Sequence, residues 1–244
     1  MIEQQVAIAT RSGPMNTFIV HPERGGPYPV ILFFMDAPGI REELRNMARR
    51  LATVGYYVML PNLFYRSGVE ELGTFIGEAG AATRKKMFAL IETIDIPKVM
   101  DDTDALVAHA DADPAASKGA IGTLGYCMSG QYAISAAARH PDRVRSAASF
   151  YGVRLKTDRP DSPHLAMRKA NAEFYVAWAE TDHYAPLEEF EAFRQSLDGV
   201  NAEVELYKGA EHGFAFPERP AYNRDAADRH WERLFALYGR TLEI

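Results

Sequence analysis

Residues 119–130 read GAIGTLGYCMSG, and the way this stretch must bend decides how the rest of the chain is laid out. Ala120 to Gly125 has the composition of a strand, and Ser129 to Arg139 that of a helix, so Tyr126-Cys127-Met128 has to turn the backbone within three residues. Such a turn strains its middle residue and demands small neighbours where chain crosses chain, which Gly125, Ser129 and Gly130 supply. A strand that hands over to a helix belongs to an open α/β sheet, whose ligands bind at the carboxyl ends of the strands. Cys127, the only cysteine of the chain, stands at that bend. A helix N-terminus favours a thiolate and leaves backbone N–H groups aimed outward, so the thiol can be a reagent. The other reading makes Cys127 a small apolar filler, the usual fate of a free cysteine.

Outward from the bend, the same alternation continues in both directions. Upstream, Gln4–Thr10 and Met15–His21 flank the turn Arg11-Ser12-Gly13-Pro14 as an antiparallel hairpin would. Pro29–Met35 is a continuous apolar run, expected of a strand covered on both faces. Glu42–Val54 places Leu44, Met47, Ala48, Leu51 and Val54 at helical spacing, with Gly55 as the cap, and Tyr56–Leu60 is the next strand. Residues 65–96 break the rhythm with scattered glycines; they read as an excursion holding a helix over Ala81–Ile94. The series resumes with a helix over Val99–Ala110. After the bend come strands over Val144–Tyr151, Phe174–Ala179 and Ala202–Tyr207, and helices over Leu187–Leu197 and Tyr222–Tyr238. The expectation is one α/β domain over residues 1–244, with a mostly parallel central sheet, helices on both faces and an N-terminal antiparallel hairpin.

Composition limits the function classes. A chain of 244 residues that is 47% hydrophobic buries a sizeable core. One cysteine excludes an intramolecular disulfide framework and a thiolate-rich zinc site, and it suits a reducing compartment, so a cytoplasmic protein is expected. The N-terminal MIEQQVAIATRSG has neither a basic nor a long apolar stretch, and no apolar run approaches the roughly 18 residues needed to cross a bilayer, so neither export nor a membrane partner is expected. With a net charge of −6 and only short basic clusters at residues 84–86 and 168–169, nucleic acid is not an expected partner either.

A thiolate nucleophile needs a base, and the base needs a group that fixes its tautomer. Of the seven histidines, His212 lies between Glu211 and Gly213 after the strand Ala202–Tyr207, at a carboxyl end. His183 is its rival; His21, His109, His140 and His230 read as caps or surface residues, and His164 lies in a polar loop. The strand Phe174–Ala179 runs into Glu180-Thr181-Asp182, which puts Asp182 at another carboxyl end, with Glu180 and Glu211 as alternatives for the acid. The order Cys127, Asp182, His212 is the nucleophile, acid, histidine order of α/β-hydrolases.

With the hairpin, Pro61-Asn-Leu-Phe-Tyr65, GYCMSG, Phe150-Tyr-Gly-Val153 and Gly209-Ala-Glu-His-Gly-Phe214 in place, the chain resembles the dienelactone hydrolases, the cysteine-dependent branch of the α/β-hydrolase fold, over nearly its whole length. The resemblance implies Cys127 as nucleophile, Asp182 as acid, His212 as base, and an oxyanion hole from the backbone N–H groups of Met128 and Ala37. It also implies a thiol-adjacent acid after the first long strand, where this chain has Asp36 in place of glutamate. Ser129 replaces one of the family's elbow glycines, and Phe216 stands where its best-known members carry an arginine for the substrate carboxylate. Arg84 resembles the second such arginine, and Tyr65, Tyr126 and Tyr151 join Arg84 and Phe216 as candidate pocket residues. The activity this implies is hydrolysis of small esters or lactones through a thioester, with no metal or organic cofactor. A small-molecule binder or a thiol-based redox sensor on the same fold is the alternative.

Overall fold

The computed structural model describes residues 1–242, and the chain divides into two compact units, Met1–Lys118 and Gly119–Ile244. In the first, β1 (Ile2–Thr10) and β2 (Gly13–His21) pair antiparallel from Ile2 opposite His21 to Thr10 opposite Gly13. β2 also pairs antiparallel with β4 (Tyr57–Pro61), and β4 runs parallel to β3 (Tyr28–Phe34). Every residue of β3 and β4 is buried, which explains why both read as unbroken apolar runs rather than alternating ones.

Helix α1 (Glu42–Ala52) buries Leu44, Met47, Ala48, Leu51 and Ala52 along one stripe, and it carries Glu42 and Glu43 in its first turn and Arg49 and Arg50 in its last, where they complement the helix dipole. It stops two residues short of the expected Val54, which is 45% exposed. The chain is turned there by Gly55 at φ 105°, whose N–H donates to the Ala52 carbonyl at 3.0 Å. The excursion contains a single 3-10 turn, Tyr65–Ser67, ended by Gly68 in the left-handed region, then α2 over Gly77–Ile91, four residues earlier than its expected start. Arg45 donates to Glu71 at 2.5 Å, and the Asn62 amide donates to the Val69 carbonyl at 2.7 Å, tying the excursion to the rest of its unit. Helix α3 (Ile96–Ala112) is capped by the Asp95 carboxylate, which accepts from the Lys98 N–H at 2.9 Å.

The second unit holds four parallel strands in the order β5 (Ala116–Tyr126), β6 (Val144–Phe150), β7 (Glu173–Thr181) and β8 (Ala202–Glu211). Their register places Tyr126 opposite Phe150, Phe150 opposite Ala177 and Thr181 opposite Glu211. The carboxyl ends of all four strands therefore reach one edge, and whatever follows each strand is delivered there. Helix α4 (Gly130–Arg139) packs against β6, and its buried residues include Ala133, Ala136 and Ala137. α5 (Pro163–Met167), a five-residue helix that no sequence pattern announces, packs on α4. α6 (Leu187–Gln195) packs against β7, and α7 (Arg224–Thr241) packs against β6 and β7, with the Asn223 side chain accepting from the Ala226 N–H. Among the described residues no helix is long and apolar enough to cross a membrane.

Candidate active site

Cys127 sits at φ 54°, in the left-handed region that non-glycine residues seldom occupy. The strain expected at the bend is therefore present, and the flanking sequence explains why it holds. A Cβ on Gly125 would lie 2.2 Å from the Ser129 carbonyl oxygen, and one on Gly130 would lie 2.2 Å from the Ser149 hydroxyl, so neither position admits a side chain. Ser129 does more than fit. Its hydroxyl accepts the Tyr126 N–H at 3.1 Å and donates to the Tyr126 carbonyl at 3.0 Å, closing the turn from within. Cys127 is half-buried at the start of the short helix that continues into α4.

His212 follows β8 directly, and its Nδ1 lies 2.6 Å from Oδ2 of Asp182. The other oxygen of Asp182 accepts the N–H groups of Tyr184 at 2.8 Å and Ala185 at 3.2 Å, so the carboxylate is held by backbone while it orients the imidazole. Burial works against a charged imidazole, but hydrogen bonds with Asp182 and with Cys127, and the negative charges of both, outweigh it and push His212 up from 6.5 to about 9. Asp182 and His212 thus form a hydrogen-bonded pair, and Cys127 is among the groups that favour the protonated imidazole.

The alternatives separate cleanly. Glu180 accepts the Gly209 N–H at 2.8 Å and so stabilises the loop ahead of His212, while Glu211 and His183 are exposed. His230 is a correction: it is neither a cap nor a surface residue but fully buried, with Nε2 2.5 Å from the Tyr126 hydroxyl and its ring edge-on to Phe150 at 4.4 Å. Its spacing from Ala226, Ala227, Leu234 and Leu237 puts it on the apolar stripe of α7, a signal legible in the sequence. His21 is likewise buried, stacked on Tyr57 at 5.2 Å.

Of the candidate pocket residues, Tyr126, Tyr151 and Phe216 are buried together, with Tyr126 5.8 Å from Tyr151 and 5.2 Å from Phe216, centroid to centroid. Tyr151 stands edge-on to His212 at 5.0 Å. Tyr184, which sequence patterns did not single out, stands edge-on to the same ring at 4.9 Å and is 56% exposed. The remaining candidates belong to the first unit. Tyr65 donates its hydroxyl to Asp102 at 2.8 Å, beside the two-pronged Arg66–Asp102 pair, and so braces the excursion. Arg84 is exposed and donates to the Phe75 carbonyl at 2.8 Å. Ala37 is buried beyond β3, and the buried Asp36 accepts from both terminal nitrogens of Arg41, at 2.5 and 3.1 Å. Among the described residues no three or more His, Cys, Asp or Glu side chains converge as a metal site requires.

Comparison with known proteins identifies the family. The family model for the dienelactone hydrolase family matches residues 15–242. A protein of Methylorubrum extorquens named "Putative carboxymethylenebutenolidase" is 27% identical over 248 residues, spanning 98% of this chain and 82% of its own. One of the same name from Synechocystis is 26% identical over 245 residues, spanning 98% and 96%. Among solved structures, the "Putative Dienelactone Hydrolase" of Klebsiella pneumoniae superposes with a TM-score of 0.84 over 98% of both chains at 22% identity, which establishes the α/β-hydrolase fold. The dienelactone hydrolase of Anabaena variabilis, at 17% identity over 99% of both chains, gives 0.68. This chain belongs to the dienelactone hydrolase family, a family of carboxylic ester hydrolases.

Proposed function

We propose that the protein hydrolyses small esters or lactones with Cys127 as nucleophile, His212 as base and acid, and Asp182 as the group that fixes the imidazole. The observation that carries this reading is the 2.6 Å bond between His212 and the buried Asp182, at the carboxyl ends of β8 and β7 in the same parallel set of strands that delivers the strained Cys127 from the end of β5. With His212 holding the proton, the sulfur attacks the carbonyl carbon as a thiolate, and the carbonyl π electrons move onto oxygen. The N–H of Met128, the second residue of its helix and without an intrahelical acceptor, receives that oxyanion. Collapse breaks the ester C–O bond, and the His212 imidazolium gives its proton to the leaving oxygen. In a lactone that oxygen stays tethered to the acyl group. The neutral imidazole, its Nδ1–H held on Asp182, then takes a proton from water as the water adds to the thioester, and thiolate departure releases the acid. The unpaired thiol this requires suits the reducing cytoplasm, where we place the protein.

The test is intact-protein mass spectrometry during turnover of p-nitrophenyl esters, with Cys127→Ala and His212→Ala run in parallel. An acyl adduct that maps to Cys127, decays in the unsubstituted protein and persists in His212→Ala is the expected result. Alanine at position 127 keeps the Cβ in the same backbone conformation, so a folded Cys127→Ala with undiminished turnover would refute the assignment.

A further inference from the structure

The loop that follows β6 holds two strained residues within four. Tyr151 and Arg154 have φ of 39° and 58°, an arrangement that costs energy for side chains of this size. The segment is nevertheless firmly anchored. The Tyr151 N–H donates to the Ala177 carbonyl of β7 at 2.8 Å, and Gly152 sits so close that a Cβ on it would lie 2.3 Å from the Ser149 hydroxyl. What the strained segment gains is contact with two working parts of the site. The ring of Tyr151 abuts His212, and the N–H of Val153 donates to the Cys127 carbonyl at 3.1 Å.

The second contact bears on catalysis through peptide geometry. The Cys127 carbonyl and the Met128 N–H belong to one planar trans peptide and point in opposite directions. A carbonyl drawn toward Val153, which also accepts the N–H of Gly130, therefore turns the Met128 N–H away from the loop. Hydrogen bonds to a carbonyl also polarise its amide, and that strengthens the N–H at the other end. We propose that Val153 is a positioning residue, whose backbone N–H aims and strengthens the Met128 N–H as the oxyanion donor. This rests on Cys127 being the nucleophile. The side chain of Val153 has no part in it.

The experiment compares Val153→Pro, which deletes the N–H, with Val153→Ala, which keeps it. Gly152 tolerates the restriction that proline places on its predecessor. Three quantities are read: kcat and KM for a p-nitrophenyl ester, and the rate of Cys127 alkylation by iodoacetamide. Alkylation displaces iodide from a saturated carbon and creates no oxyanion, so it reports the nucleophile without the donor. Loss of an oxyanion donor lowers kcat by about 100- to 1000-fold; a donor left in place but misaimed should lower it about 10- to 100-fold. The expected pattern is that fall in Val153→Pro, with KM and alkylation each within about threefold of the unsubstituted protein and Val153→Ala near normal. An unchanged kcat in Val153→Pro, an equal loss in Val153→Ala, or alkylation that falls in step with kcat overturns the proposal. Should the proline variant fail to fold, Gly152→Ala displaces the same segment against Ser149 and must give the same split between turnover and alkylation. Failure of the underlying reading is separate: full ester turnover by Cys127→Ala overturns the nucleophile and this inference together, whereas an acyl adduct on Cys127 with normal kcat in Val153→Pro overturns this inference alone.

Discussion

Asp36 and Asp182 are both buried carboxylates set just beyond the end of a strand, the first after β3 and the second after β7. Each holds a basic partner at a short distance, Arg41 at 2.5 Å and His212 at 2.6 Å. What differs is the chemistry of the partner and how the oxygens are shared. Both oxygens of Asp36 are gripped by one guanidinium, which stays protonated throughout the range in which proteins fold. Asp182 gives one oxygen to backbone N–H groups and keeps the other for an imidazole that titrates. The first arrangement is a fixed pair that holds the loop after β3; the second holds a proton that can move. A buried ion pair is thus no sign of catalysis by itself, and only a partner able to exchange a proton fits the role proposed for His212.

The largest effect that could break this contrast is expected at Asp182. Asparagine keeps an oxygen for the Tyr184 and Ala185 N–H groups but offers His212 an amide, which favours the wrong tautomer. Asp182→Asn should lower kcat about 10⁴-fold, far beyond what its loss of folding stability explains. Steady-state kinetics beside thermal unfolding checks it, and a loss explained by unfolding would erase the distinction. At the fixed pair the expected effect is on stability. Arg41→Ala takes the cation from a buried carboxylate and should cost about 3–5 kcal/mol in urea unfolding, more than the Asp36→Ala, Arg41→Ala double variant, which leaves no charge behind. If the double variant is the less stable, the pair is not the fixed unit described.

Smaller, and specific to the titrating pair, is a dependence on pH. His212 keeps its proton up to about 9 in the folded protein and, in the unfolded chain, only up to about 6.5. The folded state therefore binds more protons between these values. This contribution is whole below about pH 6.5 and is lost as pH rises through about 9, with a magnitude of about 3 kcal/mol. Melting temperatures from pH 6 to 10 should fall more steeply in the unsubstituted protein than in His212→Gln; parallel curves would contradict the pKa. The smallest effect is expected at Arg84, whose guanidinium donates to a carbonyl of its own excursion. Arg84→Ala should change KM by less than about twofold and stability by less than about 0.5 kcal/mol. A tenfold rise in KM for anionic esters, absent for neutral ones, would instead make Arg84 a substrate ligand.

Several features were legible because local physics dictates them. Unbroken apolar runs mark β3 and β4 since both faces of those strands are covered, and the glycines at 125 and 130 mark the bend because no Cβ fits there. Cys127, Asp182 and His212 stand out in the sequence because each follows a recognisable strand at its carboxyl end. Boundaries moved where the ends of elements depend on neighbours: α2 begins at Gly77 rather than Ala81, and α1 ends before Val54. The five residues of α5 are too few to show a period.

By itself the sequence determined the alternation of strands and helices, the strained bend around its only cysteine and the chain order of Cys127, Asp182 and His212, each just beyond a strand. These follow from spacing along the chain, from backbone sterics and from side-chain volume, all of which act locally. The register that brings four strand ends to one edge was decided only in the tertiary structure, as were the bond between His212 and Asp182, the burial of His230 against Tyr126 and the bond from Val153 to the Cys127 carbonyl. Each of these joins residues more than 20 positions apart, and a contact of that kind is selected by the packing of whole elements rather than by the preferences of the residues it joins.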